Sequence, residues 1–420
     1  MKYEILSLNF IDLDNDLGSL LIYQDILESE ILQAFQILIR TANQDEKKAV
    51  KAYGKIFKGL AELNSSWQDF IIEEILIQEN PFSMGVQNKR VNNSLLAAVE
   101  QDLEILQKLY NCTPEVIVNK LTNQYKQGFN LIPWLQDNRK ENFLHSSEKW
   151  SESIEDLIQH YRQKGTGIFA RYNALKWQNS GLVGISYPDD IQLEEIVGYE
   201  EQKEILINNT ERLLSGYQAL NVLLYGSRGS GKSSLVKGLL RKYRERGLRL
   251  IEVAKEELQN LPQIVDRLRN RVQKFIIFVD DLSFEEDDEK FKNLKVVLEG
   301  SVTSKPDNVV IYATSNRRHL IREYFNDRPS PSQGDEVHAW DTVQEKLSFS
   351  DRFGLTLTFE PANQDKYLEI VHHLASLEGI SLEREDLEFR AKQWATRHNG
   401  RSGRTARQFI DFLIGELNCQ

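Results

Sequence analysis

The sequence predicts an all-α N-terminal domain, then an α/β domain with a parallel sheet, closed by a small C-terminal helical lid. Three observations carry this reading. Apolar residues recur at helical spacing to about residue 175; beyond about residue 190, five short apolar runs alternate with helical segments; from about Pro361 the helical period returns. Short continuous apolar runs between helices are the mark of strands covered on both faces, as in a parallel sheet.

Composition sets the outer bounds. A chain of 420 residues exceeds one hydrophobic core and fits two to three domains. With 52 Lys and Arg against 63 Asp and Glu, the net charge is −11; 40% apolar and 27% charged residues exclude a disordered or fibrous chain. That acidity argues against a surface that coats nucleic acid throughout, but leaves room for a local basic site. Two cysteines, Cys112 and Cys419, cannot form a disulfide framework, and no Cys/His cluster has zinc spacing. The first residues are acidic where a secretory leader would be basic and then apolar, and no run reaches the roughly 20 apolar residues of a membrane span. A cytoplasmic location without membrane contact is expected.

The helical domain is expected over residues 1–177. Leu20, Tyr23, Leu27, Ile31 and Leu38 form one stripe, and Leu96, Val99, Leu103, Leu106 and Tyr110 a second. Thr113, Pro114 and Glu115 combine a capping hydroxyl, a first-turn proline and an acid at the positive end of a helix. Trp150, Ile154, Leu157 and Tyr161 make another stripe, ended by Lys164 and Gly165. These stripes read as a bundle core. Residues 1–190 hold 19 basic and 26 acidic residues, a net of −7, so most of the acidity lies here. A linker is expected over 178–192, where two glycines and a proline interrupt any period. The α/β domain follows over 193–360, with strands at 222–225, 248–253, 275–279, 309–313 and 355–359, and the lid over 361–420.

The first of these runs leads into GSRGSGKS, from Gly226 to Ser233, which fits G-x-x-x-x-G-K-[ST] in full. The chemistry accounts for the residue types. Gly226, Gly229 and Gly231 let the backbone turn tightly, so that the N–H groups of Ser227, Arg228, Ser230 and their neighbours face phosphate oxygens. Lys232 reaches the β- and γ-phosphates, the Ser233 hydroxyl ligates Mg²⁺, and Ser234 continues a helix whose positive end favours the anion. ATP and Mg²⁺ are therefore the expected ligands. The run at 275–279 ends in Asp280 and Asp281, a Walker B pattern: Asp280 is expected to hold Mg²⁺, Asp281 to orient or deprotonate the attacking water. The acidic run 285–289 reads as a solvated helix start rather than further catalytic acids.

With these motifs in place, residues 190–415 resemble an AAA+ ATPase module. DIQLEEIVGYEEQK from Asp190 is similar to the segment of that superfamily that contacts adenine, which implies roles for Val197 and Gly198. ATSN from Ala313 resembles the sensor 1 strand, implying that Asn316 orients the lytic water. SDRFG from Ser350 resembles the box carrying an arginine finger, implying that Arg352 acts in a neighbouring subunit, where a planar, permanent charge suits phosphoryl transfer. GRTARQF from Gly403 resembles sensor 2, with Arg404 the implied phosphate contact and Arg401 and Arg407 its competitors. DDLSFE from Asp280, ATSNRRHLI from Ala313 and GRSGRTARQF from Gly400 together resemble one bacterial AAA+ family, known as ATP-binding proteins of unknown function.

The sequence also departs from the superfamily. Asp281 stands where many AAA+ proteins carry Glu, a trait shared with replication initiators and helicase loaders, which points to slow turnover. Ala254, Lys255, Glu256 and Glu257 follow the second run without the aromatic pore loop of protein-threading machines. Residues 325–346, with Pro329, Pro331 and Gly334, read as an insertion; Asp335-Glu336-Val337-His338 inside it mimics a helicase motif but has no apolar strand before it. The resemblance implies an oligomeric, Mg-dependent ATP hydrolase that remodels or loads a protein partner recruited by the N-terminal domain. A nucleotide-gated switch with little turnover is one alternative, and a DNA-directed initiator or helicase loader another. Arg241, Lys242, Arg244, Arg246 and Arg249 cluster near a helix C-terminus, where the dipole favours cations without any ligand; Arg317, Arg318 and Arg322 follow sensor 1. Nucleic acid is not the favoured partner.

Overall fold

A computed structural model describes residues 9–125, 130–136, 141–283, 294, 295, 297, 298, 306–316, 351–398 and 400–418. The acidic run 285–289, the arginines 317, 318 and 322, and the insertion expected at 325–346 with its 335–338 motif lie outside the described residues. The chain divides into two compact units, Met1–Arg171 and Tyr172–Gln420.

Among its described residues the first unit is built of helices joined by irregular segments, without a strand, and its longest helices are Glu46–Leu63 and Asn93–Asn111. Short polar side chains start the helices as their sequence pattern demands. Ser29, Asp45, Ser66, Asn92 and Thr113 each accept a first-turn N–H, and Pro114 occupies the first helical position. Trp67, Trp150, Tyr23, Tyr161, Phe35 and Phe82 fill the core. The stripe from Leu20 to Leu38 is buried as expected at Leu20, Tyr23, Ile31 and Leu38, yet it is not one helix: a 3₁₀ turn at Gln24–Glu28 breaks it. A buried carboxylate holds the break. Asp102 accepts the N–H groups of Leu21 (2.9 Å), Ile22 (2.7 Å) and Tyr23 (3.0 Å), which the interrupted helix leaves without carbonyl partners. The Tyr23 hydroxyl meets that of Tyr161 at 2.9 Å, and Tyr161 donates to the Ile75 carbonyl at 2.7 Å.

The second unit is built on a seven-stranded sheet. Its strands are β1 (Ala174–Gln178), β2 (Gly181–Ile185), β3 (Val222–Gly226), β4 (Leu248–Glu252), β5 (Lys274–Val279), β6 (Val309–Ser315) and β7 (Leu355–Phe359). The spatial order is β2-β1-β4-β5-β6-β3-β7; only β1 and β2 are antiparallel. All seven residues of β6 are buried, as a central strand covered on both faces requires. The five expected strands are present.

Residues 174–185, the end of the expected helical domain and the start of the linker expected over 178–192, form an edge hairpin instead. Asn179 and Ser180, at φ 52° and 59°, form the two-residue turn whose twist suits a hairpin. The glycines read as linker signals, Gly181 and Gly184, are strand residues, Gly184 packing against the Tyr172 ring. What makes β1 a strand is its parallel pairing with β4, Ala174 opposite Leu250, a partner far away in sequence. The lid helices are Gln364–Leu377, Arg384–Arg397 and Gly403–Asn418, packed around Tyr367, Val371, Ala391, Ala406 and Ile410, with Val197 against them. A parallel β4-β5-β6-β3-β7 core with a phosphate loop after β3 and a helical lid after β7 is the AAA+ P-loop arrangement. It puts the C-terminal ends of β3, β5 and β6 side by side.

Candidate functional site

The phosphate loop is fixed by backbone chemistry that only glycine allows. Gly226 sits at φ 144°, and a Cβ there would run into the Phe359 carbonyl; the next N–H, of Ser227, donates to that carbonyl at 3.0 Å. Gly229 and Gly231 are left-handed, at φ 74° and 86°. The N–H groups from Gly229 to Ser234 have no acceptor among the described residues, partly because the first turn of the helix Lys232–Tyr243 leaves its donors free. They form a concave set of donors suited to an anion. Buried Lys232 donates to the carbonyls of Gly226 (3.0 Å) and Ser227 (2.7 Å) and lies 3.4 Å from Asn316 Oδ1. Burial pulls its ammonium below the ordinary lysine range; Asp280 and Asp281 oppose this, and the charge of Arg404 adds to it.

The acid pair is locked to this loop. Asp280 Oδ1 accepts from the Ser233 hydroxyl at 2.7 Å, from the Thr314 hydroxyl at 2.5 Å and from the Asp281 N–H at 3.2 Å. Asp281 takes a left-handed backbone, φ 51°, and its N–H also donates to Thr314 Oγ1 at 2.9 Å. Its carboxylate accepts from Asn316 Nδ2 at 2.6 Å. Among the described residues no group of three or more His, Cys, Asp and Glu side chains could cage a metal. One carboxylate beside one hydroxyl, next to a phosphate cradle, does fit Mg²⁺, which binds through few protein oxygens and completes its shell with phosphate and water.

These groups line one cavity of about 920 Å³, whose wall runs from Arg228–Ser234 past Asp280, Asp281, Thr314 and Asn316 to Ile191, Ile196, Val197 and Tyr199, and to Ile370, Leu374, Arg404 and Gln408 of the lid. Part of this wall is polar and carries charges of both signs, with Lys232, Asp280 and Asp281, and part is apolar, with Ile196, Val197, Ile370 and Leu374. The lid touches the loop directly: the Arg404 N–H donates to the Gly229 carbonyl at 3.2 Å. Tyr199 is pinned by its hydroxyl to the Glu360 carbonyl (2.6 Å), with the Lys366 ammonium 4.2 Å from its ring centre.

Of the predicted residues, the geometry gathers Val197, Arg228 to Ser234, Asp280, Asp281, Asn316 and Arg404. Gly198, Gly226 and Ser227 do not line the cavity but shape what does: Gly198 turns at φ 83°, and the other two supply the carbonyls that hold Lys232. Arg352 precedes β7 and is not part of this wall. The three candidate lid arginines differ in surroundings. Arg401 bonds Gln364 at 3.1 Å away from the cavity; Arg407 reaches it but is held by Glu195 (3.5 Å), Glu378 (3.1 Å) and Asp411 (3.2 Å). The basic cluster is similarly engaged: Arg241 pairs with Asp190, Arg246 with Glu211, and buried Arg249 donates to the carbonyls of Arg244 and Leu248.

The sequence did not mark Thr314 or Tyr199 as site residues. For Thr314 the signal was a hydroxyl at the end of an otherwise apolar strand; Tyr199 gave none, because its place depends on a carbonyl 161 residues later.

Among the described residues no helix is long and apolar enough to cross a membrane. No curated protein matches the chain. Similar solved structures include a single-residue variant of Thermotoga maritima RuvB, 17% identical over 53% of this chain and 72% of that one, with a TM-score of 0.34. The Thermotoga maritima RuvB Holliday junction branch migration motor is 16% identical over 53% and 72%, with a TM-score of 0.32. Residues 170–417, more than half of the chain and nearly all of the second unit, match the family described as protein of unknown function (DUF815), and the chain belongs to that family.

Proposed function

We propose that the second unit binds ATP with Mg²⁺ and hydrolyses it, as a cytoplasmic, oligomeric ATPase that remodels or loads a protein partner recruited by the helical first unit. The observation that carries this is the continuous set of contacts from Ser233 through Asp280 and Thr314 to Asp281, and on through Asn316 to Lys232. In this reading the N–H groups of Gly229 to Ser234 and Lys232 bind the phosphates, and the apolar part around Val197, Ile370 and Leu374 takes the base. Mg²⁺ on Ser233 and Asp280 would neutralise charge developing on the phosphoryl oxygens. Asp281 holds water and takes its proton, Asn316 orients that carboxylate, and Arg404 contacts phosphate from the lid. Arg352, outside the cavity of its own chain, stabilises the transferring phosphoryl group of a neighbouring copy.

Phosphate release and nucleotide binding by the purified chain test this. Lys232→Ala should abolish both, and Asp281→Asn should retain bound ATP while losing about 10²-fold or more in turnover. Unchanged phosphate release in both variants would refute the assignment. Arg352→Ala should keep ATP binding and lose turnover, and a fully active monomer would remove the role in trans. One contact favours the second reading, a nucleotide-gated switch: the 2.6 Å bond from Asn316 takes up one oxygen, Oδ1, of the carboxylate that would act as base. Steady-state turnover separates the two, since a switch exchanges nucleotide without releasing phosphate.

A further inference from the structure

The hydroxyl of Thr314 has a single proton, and in this structure it is committed. Thr314 is buried, 2% exposed, at the end of β6, between the strand that delivers the phosphate loop and the strand that ends in the acid pair. It donates to Asp280 Oδ1 at 2.5 Å and accepts the Asp281 N–H at 2.9 Å. The first bond fixes the carboxylate oxygen that also faces Ser233. The second fixes the backbone of Asp281 in the left-handed region, which costs a non-glycine residue energy unless its surroundings hold it there. In that conformation the Asp281 carboxylate accepts from Asn316 Nδ2 at 2.6 Å. Next along the chain, the Leu282 N–H donates to the Thr314 carbonyl at 2.7 Å, so one residue grips both sides of the turn.

We infer that Thr314 is a positioning residue for phosphoryl transfer: its hydroxyl sets the metal-facing oxygen of Asp280 and the reach of Asp281 together. This rests on reading the cavity as an ATPase site. A hydroxyl is required, since only a group that both donates and accepts serves a carboxylate oxygen and an N–H at once. Valine has the shape of threonine but neither function; serine has both.

The test compares Thr314→Val and Thr314→Ser in the full chain, measuring phosphate release at saturating Mg²⁺ and the Mg²⁺ dependence of binding of a fluorescent ATP analogue. Thr314→Val should lower kcat by about 10- to 100-fold, the usual effect of removing a group that orients a metal-facing ligand, while KM for ATP rises by about tenfold with the weakened Mg²⁺ contribution to binding. Affinity for the analogue in EDTA should be unchanged, and its enhancement by Mg²⁺ should fall by about tenfold. Thr314→Ser should restore both. Equal turnover and equal Mg²⁺ enhancement in wild type and Thr314→Val would overturn the inference, as would a serine variant no better than valine, which would assign the effect to the lost methyl. If the wild-type chain releases no phosphate, it is the ATPase reading that fails, and the Mg²⁺ enhancement of binding alone decides the role of Thr314.

Discussion

Replacing Gly229 by alanine tests how the lid and the phosphate loop depend on each other. Gly229 is left-handed, φ 74°, and its carbonyl accepts the Arg404 N–H at 3.2 Å. An added Cβ would lie 2.8 Å from Ser402 Oγ, 3.0 Å from Ser402 Cβ and 3.2 Å from Arg404 Cβ. The left-handed backbone costs an alanine about 1–2 kcal/mol. Retreat of the lid to relieve the contacts stretches the Gly229–Arg404 bond, worth about 1 kcal/mol. Together these set about 2–3 kcal/mol against the docked lid, which is about 30- to 150-fold in affinity for a nucleotide that needs it docked. Equilibrium binding of a fluorescent ATP analogue measures this. The control is Gly229→Ala combined with Ser402→Gly. Removing the Ser402 side chain takes away the two shortest contacts; its own cost is a few tenths of a kcal/mol, because Oγ accepts the Thr405 N–H as a helix cap does and glycine is a tolerable substitute. The double variant should regain about fivefold or more of the lost affinity, leaving the backbone contribution. Wild-type affinity in Gly229→Ala, or no recovery in the double variant, would refute the reasoning.

Arg404→Ala should weaken nucleotide binding about tenfold or more, the scale of a lost charge-assisted contact, whereas Arg401→Ala, bonded to Gln364 away from the cavity, should leave binding within about twofold; the reverse ranking in the same binding assay would reassign sensor 2. Asp102→Ala leaves three backbone N–H groups in the first unit without their acceptor and should destabilise that unit by about 3–5 kcal/mol, read as faster amide hydrogen exchange at Leu21 to Tyr23. Exchange at wild-type rates there would contradict it. Burial, reinforced by the charge of Lys164, lowers the His160 imidazole to about 4. A depressed folded pKa means stability that is present above the unfolded value near 6.5 and lost as pH falls toward 4, about 2 kcal/mol by pH 5. Thermal melts at pH 7 and pH 5 should therefore draw closer together in His160→Phe, and an unaltered gap would argue against it.

The local chemistry of this protein was legible wherever neighbours in the chain decide it. Gly226, Gly229 and Gly231 announce a backbone that other residues cannot adopt, and Thr113 with Pro114 announces a helix start; the structure has both. The runs at 222–225, 275–279 and 309–313 were readable as strands because burial on both faces demands unbroken apolar runs, and the strands span 222–226, 274–279 and 309–315. The hairpin of β1 and β2 was not, because Gly181 and Gly184 look the same in a linker and in an edge strand until β4 supplies the pairing.

What the sequence determined by itself is therefore the phosphate loop, the acid pair and the alternation of strands and helices, each fixed by steric or solvation limits acting over a few residues. Tertiary structure alone decided that Thr314 joins Asp280 to Asp281, that Arg404 rather than Arg401 faces the loop, and that Arg407 is drawn to three carboxylates. The reason is reach. A hydrogen bond or ion pair is settled by distances of about 3 Å in space, and strand order in the sheet and packing of the lid set those distances between residues that the chain keeps far apart.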